Sequence, residues 1–170
     1  GINSLTVDGL DITNSKFDYF VLTYQGASNG LFKNVDIQKS NFTDILRQSE
    51  SGVYLDCNNV RFVGINVTNC NVVGSLIKSN PLYARSISFE NVNVKNSKYT
   101  GSNPFVDMYD NCKLIDLTIE GLTKSSDITL IKVNKEGCEI SGVKLSNYDT
   151  ALNLIDSNAT YTLSGLVLNT

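Results

Sequence analysis

Hydrophobic and polar positions along the chain recur in blocks of six: apolar, any, Gly/Asn/Asp, apolar, any, apolar. The block first reads Val7-Asp8-Gly9-Leu10-Asp11-Ile12. It begins again at Phe32, Phe62, Phe89, Leu114, Ile140 and Leu163, at intervals of 25, 30, 27, 25, 26 and 23 residues. Seven copies spread over the whole chain make this a repeat protein. The third position holds Gly9, Asn34, Gly64, Asn91, Asp116, Gly142 and Gly165, the residue types that enter the left-handed backbone region at least cost. Two residues after the first six blocks stand Asn14, Lys39, Asn69, Asn96, Gly121 and Asn147, and Asn169 follows the seventh by one; only Lys39 departs from that set. Each repeat is therefore expected to carry two sharp bends around a three-residue strand. In that strand the first and last side chains, such as Leu10 and Ile12, point inward and the middle one points outward.

The rest of each repeat also reads as strand. Residues 19–24, 75–78, 105–108 and 128–133 are short and often β-branched, with Gly, Asn or Ser nearby. No segment sustains apolar positions at i, i+3, i+4 and i+7, so no helix is predicted. Two residues before each block lie Leu5, Gly30, Val60, Ile87, Cys112, Cys138 and Tyr161, which read as inward positions of a third strand.

These features resemble the right-handed parallel β-helix of the pectin-lyase-like superfamily, whose coils have three short strands, a bend with a stacked asparagine ladder and one corner of variable length. The resemblance covers residues 1–170 as a single domain and implies about seven coils, or a rod about 34 Å long at ~4.8 Å per coil. It implies that Asn69 and Asn96 form ladder rungs, with Asn14 and Asn147 at the same level. Phe17, Phe42, Val72 and Tyr99 share one offset and would stack in a second ladder. Residues 48–59 would fill the variable corner. A leucine-rich-repeat-like solenoid is the alternative, since Val7, Leu10, Ile12, Ser15 and Phe17 also fit its spacing. Against it stand the Gly/Asn/Asp at every third position, Lys124 and Thr150 where apolar residues are demanded, and the missing helical return.

Composition narrows the chemistry. The chain has no His or Trp, and 14 basic against 17 acidic residues. Without His the usual general base, the Ser-His-Asp triad and Cys/His zinc sites are excluded. The mild acidity leaves no nucleic-acid footprint, and no apolar run is long enough for a membrane span. The 21 asparagines suit a chain that turns often.

The outward residues of the first strand form the column Asp11, Asp36, Asn66, Asn93, Thr118, Lys144 and Val167. In pectin-lyase-like enzymes this face commonly bears catalytic and calcium-binding groups. Asp11 and Asp36, on adjacent coils, would either share a calcium ion, act as an acid/base pair, or belong to a solvated face. Asp11, Asp36, Asn66 and Asn93 are the candidate binding residues. No catalytic residue and no other cofactor or metal is assigned, because the essential His and Arg-X-Lys segment of the hydrolases have no counterpart. A line of tyrosines, Tyr19, Tyr24, Tyr54, Tyr83 and Tyr109, is a further candidate face for sugar rings.

Cys112 and Cys138 share an offset in neighbouring coils and read as buried thiols or a disulfide. Cys57 falls in the variable corner and Cys70 at a bend position elsewhere held by Ser15, Ser40 and Ser97. Asn41, Asn66 and Asn158 begin Asn-X-Ser/Thr sequons, glycan acceptors if the protein is eukaryotic and secreted. The chain begins and ends close to its outer copies, without a visible cap, as expected of a segment of a longer solenoid or of a subunit that stacks end to end. The reading is a non-catalytic extracellular or cell-surface rod, similar to autotransporter passenger and polymorphic outer-membrane protein regions. Its partners would be neighbouring coils or copies, glycans or a host-surface protein. A polysaccharide-binding or polysaccharide-degrading β-helix is the alternative.

Overall fold

In the computed structural model, residues 4–23, 29–48, 57–78, 84–124, 127–148 and 152–169 are described. Among them there is strand, bend and turn but no helix. The first sheet stacks Leu5–Thr13, Gly30–Gln38, Arg61–Thr68, Ser88–Lys95 and Lys113–Glu120. It continues as the split strands Cys138–Ser141 with Lys144–Ser146 and Tyr161–Ser164 with Val167–Asn169. A second sheet holds the return strands, from Lys16–Thr23 to Asn153–Ser157, and a short third pairs Cys57–Asn58 with Ala84–Arg85. Every pairing is parallel, so each coil rests on the one before it. The helical return demanded by the leucine-rich-repeat alternative is replaced by these strands.

The register is the one the six-residue block dictates. Val7 pairs with Phe32, Phe32 with Phe62, Phe62 with Phe89, and Phe89 with Leu114. All seven third-position residues have φ between 54° and 74°. In the first five copies they do not end the strand, as the sequence suggests, but kink it, whereas at Gly142 and Gly165 the strand does divide. Pairing runs through Asp8–Lys33, skips Gly9 and Asn34, and resumes at Leu10–Val35. Every coil kinks at the same level, so neighbours stay in contact through the bend. The kink also resets the alternation of side chains. Phe32, Val35 and Ile37 are all buried although the first two are three residues apart, an odd spacing that would put them on opposite faces of a flat strand.

The second bend is at Asn14, Lys39, Asn69, Asn96, Gly121 and Asn147, all left-handed. A third, unforeseen in the sequence, is made by Asn29, Asn59, Ser86, Asn111 and Gly137, each left-handed and each next to an inward residue of the first sheet. Asn, Ser and Gly recurring at one offset was the signal for it.

The interior is a set of stacks. Phe32, Phe62 and Phe89 lie face to face with ring centroids 5.1 and 4.6 Å apart, and Phe17 stacks on Phe42 at 5.1 Å. Phe17, Phe42, Val72 and Tyr99 pair in sequence, as their common offset requires. Such offset aromatic pairs add about 0.5–1.5 kcal/mol each to their burial.

The count of seven coils is corrected. The first sheet has seven levels, but the solenoid makes about five turns. Buried hydrophobic residues run only from Phe32 to Leu145, while Leu5, Leu163, Leu166, Val167 and Leu168 on the outer levels are about 40% exposed. An outer level is covered from one side and does not enclose a core. Five turns correspond to about 24 Å of axis.

Candidate functional site

The outward column of the first sheet is assembled in register: Asp11 faces Asp36, then Asn66, Asn93, Thr118, Lys144 and Val167 follow level by level. Three of the four candidate binding residues bond to one another. Asn66 Nδ2 donates to Asp36 Oδ1 at 2.6 Å, and Asn93 Nδ2 donates to Asn66 Oδ1 at 3.0 Å. Asp36, Asn66 and Asn93 are half-buried, whereas Asp11 is exposed. The amide polymer expected at the bend thus lies on the flat of the first sheet. Among the described residues, no group of three His, Cys, Asp or Glu side chains converges as a metal site would require.

Ion pairs tie other outward positions between coils. Lys33 meets Asp8 at 2.8 Å, and the Lys33 ammonium and Asn34 amide beside the Asp8 carboxyl hold it below the usual carboxylate range. Arg61 grips Glu90 with two bonds of 3.1 and 2.9 Å, which raises the guanidinium and lowers the carboxyl. Lys95–Glu120, Lys113–Glu139 and Lys132–Asp156 repeat the arrangement at 3.3, 2.9 and 3.4 Å. On the second sheet Asp107 pairs in register with Lys78 and Lys132. Burial pushes its carboxyl up, against the bond of 2.6 Å from Asn134 Nδ2.

The left-handed corner is built differently from the expected asparagine ladder. The main-chain N–H of Asn14, Lys39, Asn69 and Asn96 donates to the next coil at 2.8–3.1 Å, while the side chains of all four are exposed, as is that of Asn147. The stacked side chains are one residue on. Ser40 Oγ accepts from Ser15 N at 3.1 Å and Ser97 Oγ accepts from Cys70 N at 3.2 Å. Ser15, Ser40 and Ser97 each return their proton to the carbonyl two residues back, and Cys70 does the same at 3.3 Å. This serine and cysteine rail floors a groove of about 630 Å³ that runs across the coils. Its walls are the column Lys39, Asn69, Asn96, Gly121 on one side and Asn41, Asn71, Lys98, Thr123 on the other.

The remaining candidates divide. Asn41 and Asn158 are exposed, while the Asn66 amide is engaged on both sides, so a glycan on its Nδ2 would compete with the bond to Asp36. Cys70, Cys112 and Cys138 are buried. Burial pushes the Cys138 thiol up to about 11, which leaves it little thiolate at neutral pH. Cys57 is described only as a strand residue paired with Ala84. Tyr19 and Tyr109 are half-buried; Tyr24, Tyr54 and Tyr83 lie outside the described residues.

No protein-family model matches the chain, and neither does any curated protein. Among solved structures it is similar to a pentapeptide repeat protein from the cyanobacterium Cyanothece 51142, at 10% identity over 92% of this chain and 88% of that one, with a TM-score of 0.23. It is also similar to QnrB1, a plasmid-mediated fluoroquinolone resistance protein, at 13% identity over 96% and 91% of the two chains, with a TM-score of 0.25. The sequence resembles the pectin-lyase-like superfamily, whereas these structures belong to pentapeptide repeat proteins, and at such scores neither likeness extends to a ligand or an activity. The chain is an all-β parallel solenoid of the right-handed type.

Proposed function

We propose that the chain is a non-catalytic structural segment of an extracellular or cell-surface rod. The observation that supports this is where the outward polar groups go. The column Asp36–Asn66–Asn93 and five ion pairs bind each coil to its neighbour, so much of the surface chemistry serves cohesion along the axis. The reading also draws on the resemblance of the coil repeat to autotransporter passenger and polymorphic outer-membrane protein regions. A stiff stack of coils holds loops and corners at fixed spacing for partners, and its outer levels accept further coils or a second copy.

The test is negative-stain electron microscopy of the purified chain with light scattering, alongside incubation with a panel of plant, bacterial and animal polysaccharides. Rods one coil wide, single or joined end to end, with no new reducing or unsaturated sugar ends, are expected. Release of such ends would overturn the non-catalytic reading. Irregular aggregates, in place of single short stacks or axial filaments, would overturn the rod.

A further inference from the structure

We infer that the two outer levels of the first sheet are the halves of one polar interface for a second copy of this chain. Residues 161–169 of one copy pair, parallel and in register, with Leu5–Thr13 of the next, and like ends do not meet. The inference rests on the rod reading and adds a direction of growth to it.

Both outer levels are apolar and open on one side. Among the described residues, Leu5–Thr13 pairs only with Gly30–Gln38, and the strands of residues 161–169 pair only with the level beneath. Every hydrophobic residue that packs half-covered against the core lies on the first coil, as Val7, Leu10 and Ile12 do, or on the last, as Leu154, Ile155 and Tyr161 do. The apolar surface left open is therefore concentrated at two places. Exposed sheet edges are commonly guarded by Lys, Pro or an inward charge, and residues 161–169 contain none of these.

The two levels fit each other. Continuing the register sets Leu163, Leu166 and Leu168 on Val7, Leu10 and Ile12, and Gly165 on Gly9, with the two kinks at φ 66° and 74°. On the second sheet the same continuation sets Leu154 on Phe20. Ser164 and Val167 fall opposite Asp8 and Asp11, so no like charges meet.

The kink decides the direction. In a level of nine residues such as Gly30–Gln38, the kink is the fifth position and the first, third, sixth and eighth are buried. A flat strand of that length would alternate identically in both directions; the kink removes this symmetry. Two like ends would be related by a twofold axis across the rod, which makes their strands antiparallel. With the kinks at one level, the first position then faces the ninth, the third the seventh and the sixth the fourth. Every inward residue meets an outward one, Val7 opposite Asp11 or Leu163 opposite Val167. Only head-to-tail pairing keeps apolar on apolar, and a contact of that kind leaves a free end for the next copy.

The experiment is light scattering of the purified chain over a concentration series, with Leu166→Lys blocking one end and Leu10→Lys the other. The parent is expected to grow in mass with concentration, without a plateau at the dimer. Each blocked variant alone is expected to keep the mass of one chain, and an equal mixture of the two to double it and stop. Circular dichroism verifies that the variants keep their strands; Leu5→Lys, at a side chain 41% exposed, replaces Leu10→Lys if that variant unfolds. A parent that keeps the mass of one chain, as single short stacks in electron micrographs, overturns the inference and leaves the rod reading standing. Irregular aggregates overturn both. A dimer formed by either blocked variant alone, or a mixture that does not associate, shows that the joint is not head to tail.

Discussion

Asn66 and Asp36, one coil apart, are joined by a bond of 2.6 Å on the outer face of the first sheet. The bond makes this column a cohesive element rather than a solvated one. Asp36→Ala leaves the Asn66 amide without its acceptor and is expected to cost about 1 kcal/mol, whereas Asp36→Asn keeps an oxygen in place and stays within roughly 0.5 kcal/mol of the parent. Urea unfolding of the two variants separates them; equal losses would show that the carboxylate charge matters.

Lys39 and Asn96 occupy one column at φ 50° and 47°. Lys39→Asn relieves the left-handed penalty of a long side chain and is expected to add about 0.5–1 kcal/mol to stability. Asn96→Ala is expected to lose about 1 kcal/mol on conformational grounds alone, since the Asn96 amide is exposed and its rung is made by the main chain. Asn96→Gly then comes close to the parent. Thermal and urea midpoints check all three.

Phe62 is fully buried between Phe32 and Phe89, at 5.1 and 4.6 Å. Phe62→Ala opens a cavity in the middle of the stack and is expected to cost about 3–5 kcal/mol. Phe17 lies on the first level, half-buried and stacked on one side, and its truncation costs less. Similar losses at the two sites would mean that the outer level is as enclosed as the middle.

Two carboxyls respond to pH in opposite directions. Arg61 holds Glu90 below its ordinary value of 4.5, so the stability from that pair is present above the unfolded value and is lost as pH falls through the folded one. Burial holds Asp107 above 3.8, so its charged form opposes folding at neutral pH and the penalty fades as pH falls through the folded value. Glu90→Gln is therefore expected to destabilise at pH 7 and to match the parent in acid. Asp107→Asn, which keeps an acceptor for Asn134, is expected to stabilise at pH 7 with a gain that shrinks in acid. Urea midpoints between pH 7 and pH 3 read both slopes.

The winding was legible because it rests on a local rule. Gly, Asn or Asp at a fixed offset forces a left-handed residue, and that residue fixes which neighbours turn inward. The continuity of strands through the kink was not legible, because it depends on the next coil kinking at the same level. The third corner at Asn29, Asn59, Ser86, Asn111 and Gly137 was present in the residues but lay outside the six-residue block. Which asparagines hydrogen-bond to each other was hidden as well. The backbone sends Asn66 and Asn93 along the sheet and leaves Asn69 and Asn96 facing outward, and composition alone does not distinguish them.

Parallel pairing between coils also sets how the molecule yields to force. The strands lie across the axis and their hydrogen bonds run along it, so a pull on the two ends loads one interface at a time and peels the outermost coil first. Each event frees 23–30 residues, or roughly 80–105 Å of extended chain. Single-molecule stretching should give a train of small, similar steps of that length, where a domain with strands in shear would rupture once. A tether built this way lengthens gradually under load and rewinds from the coils that remain.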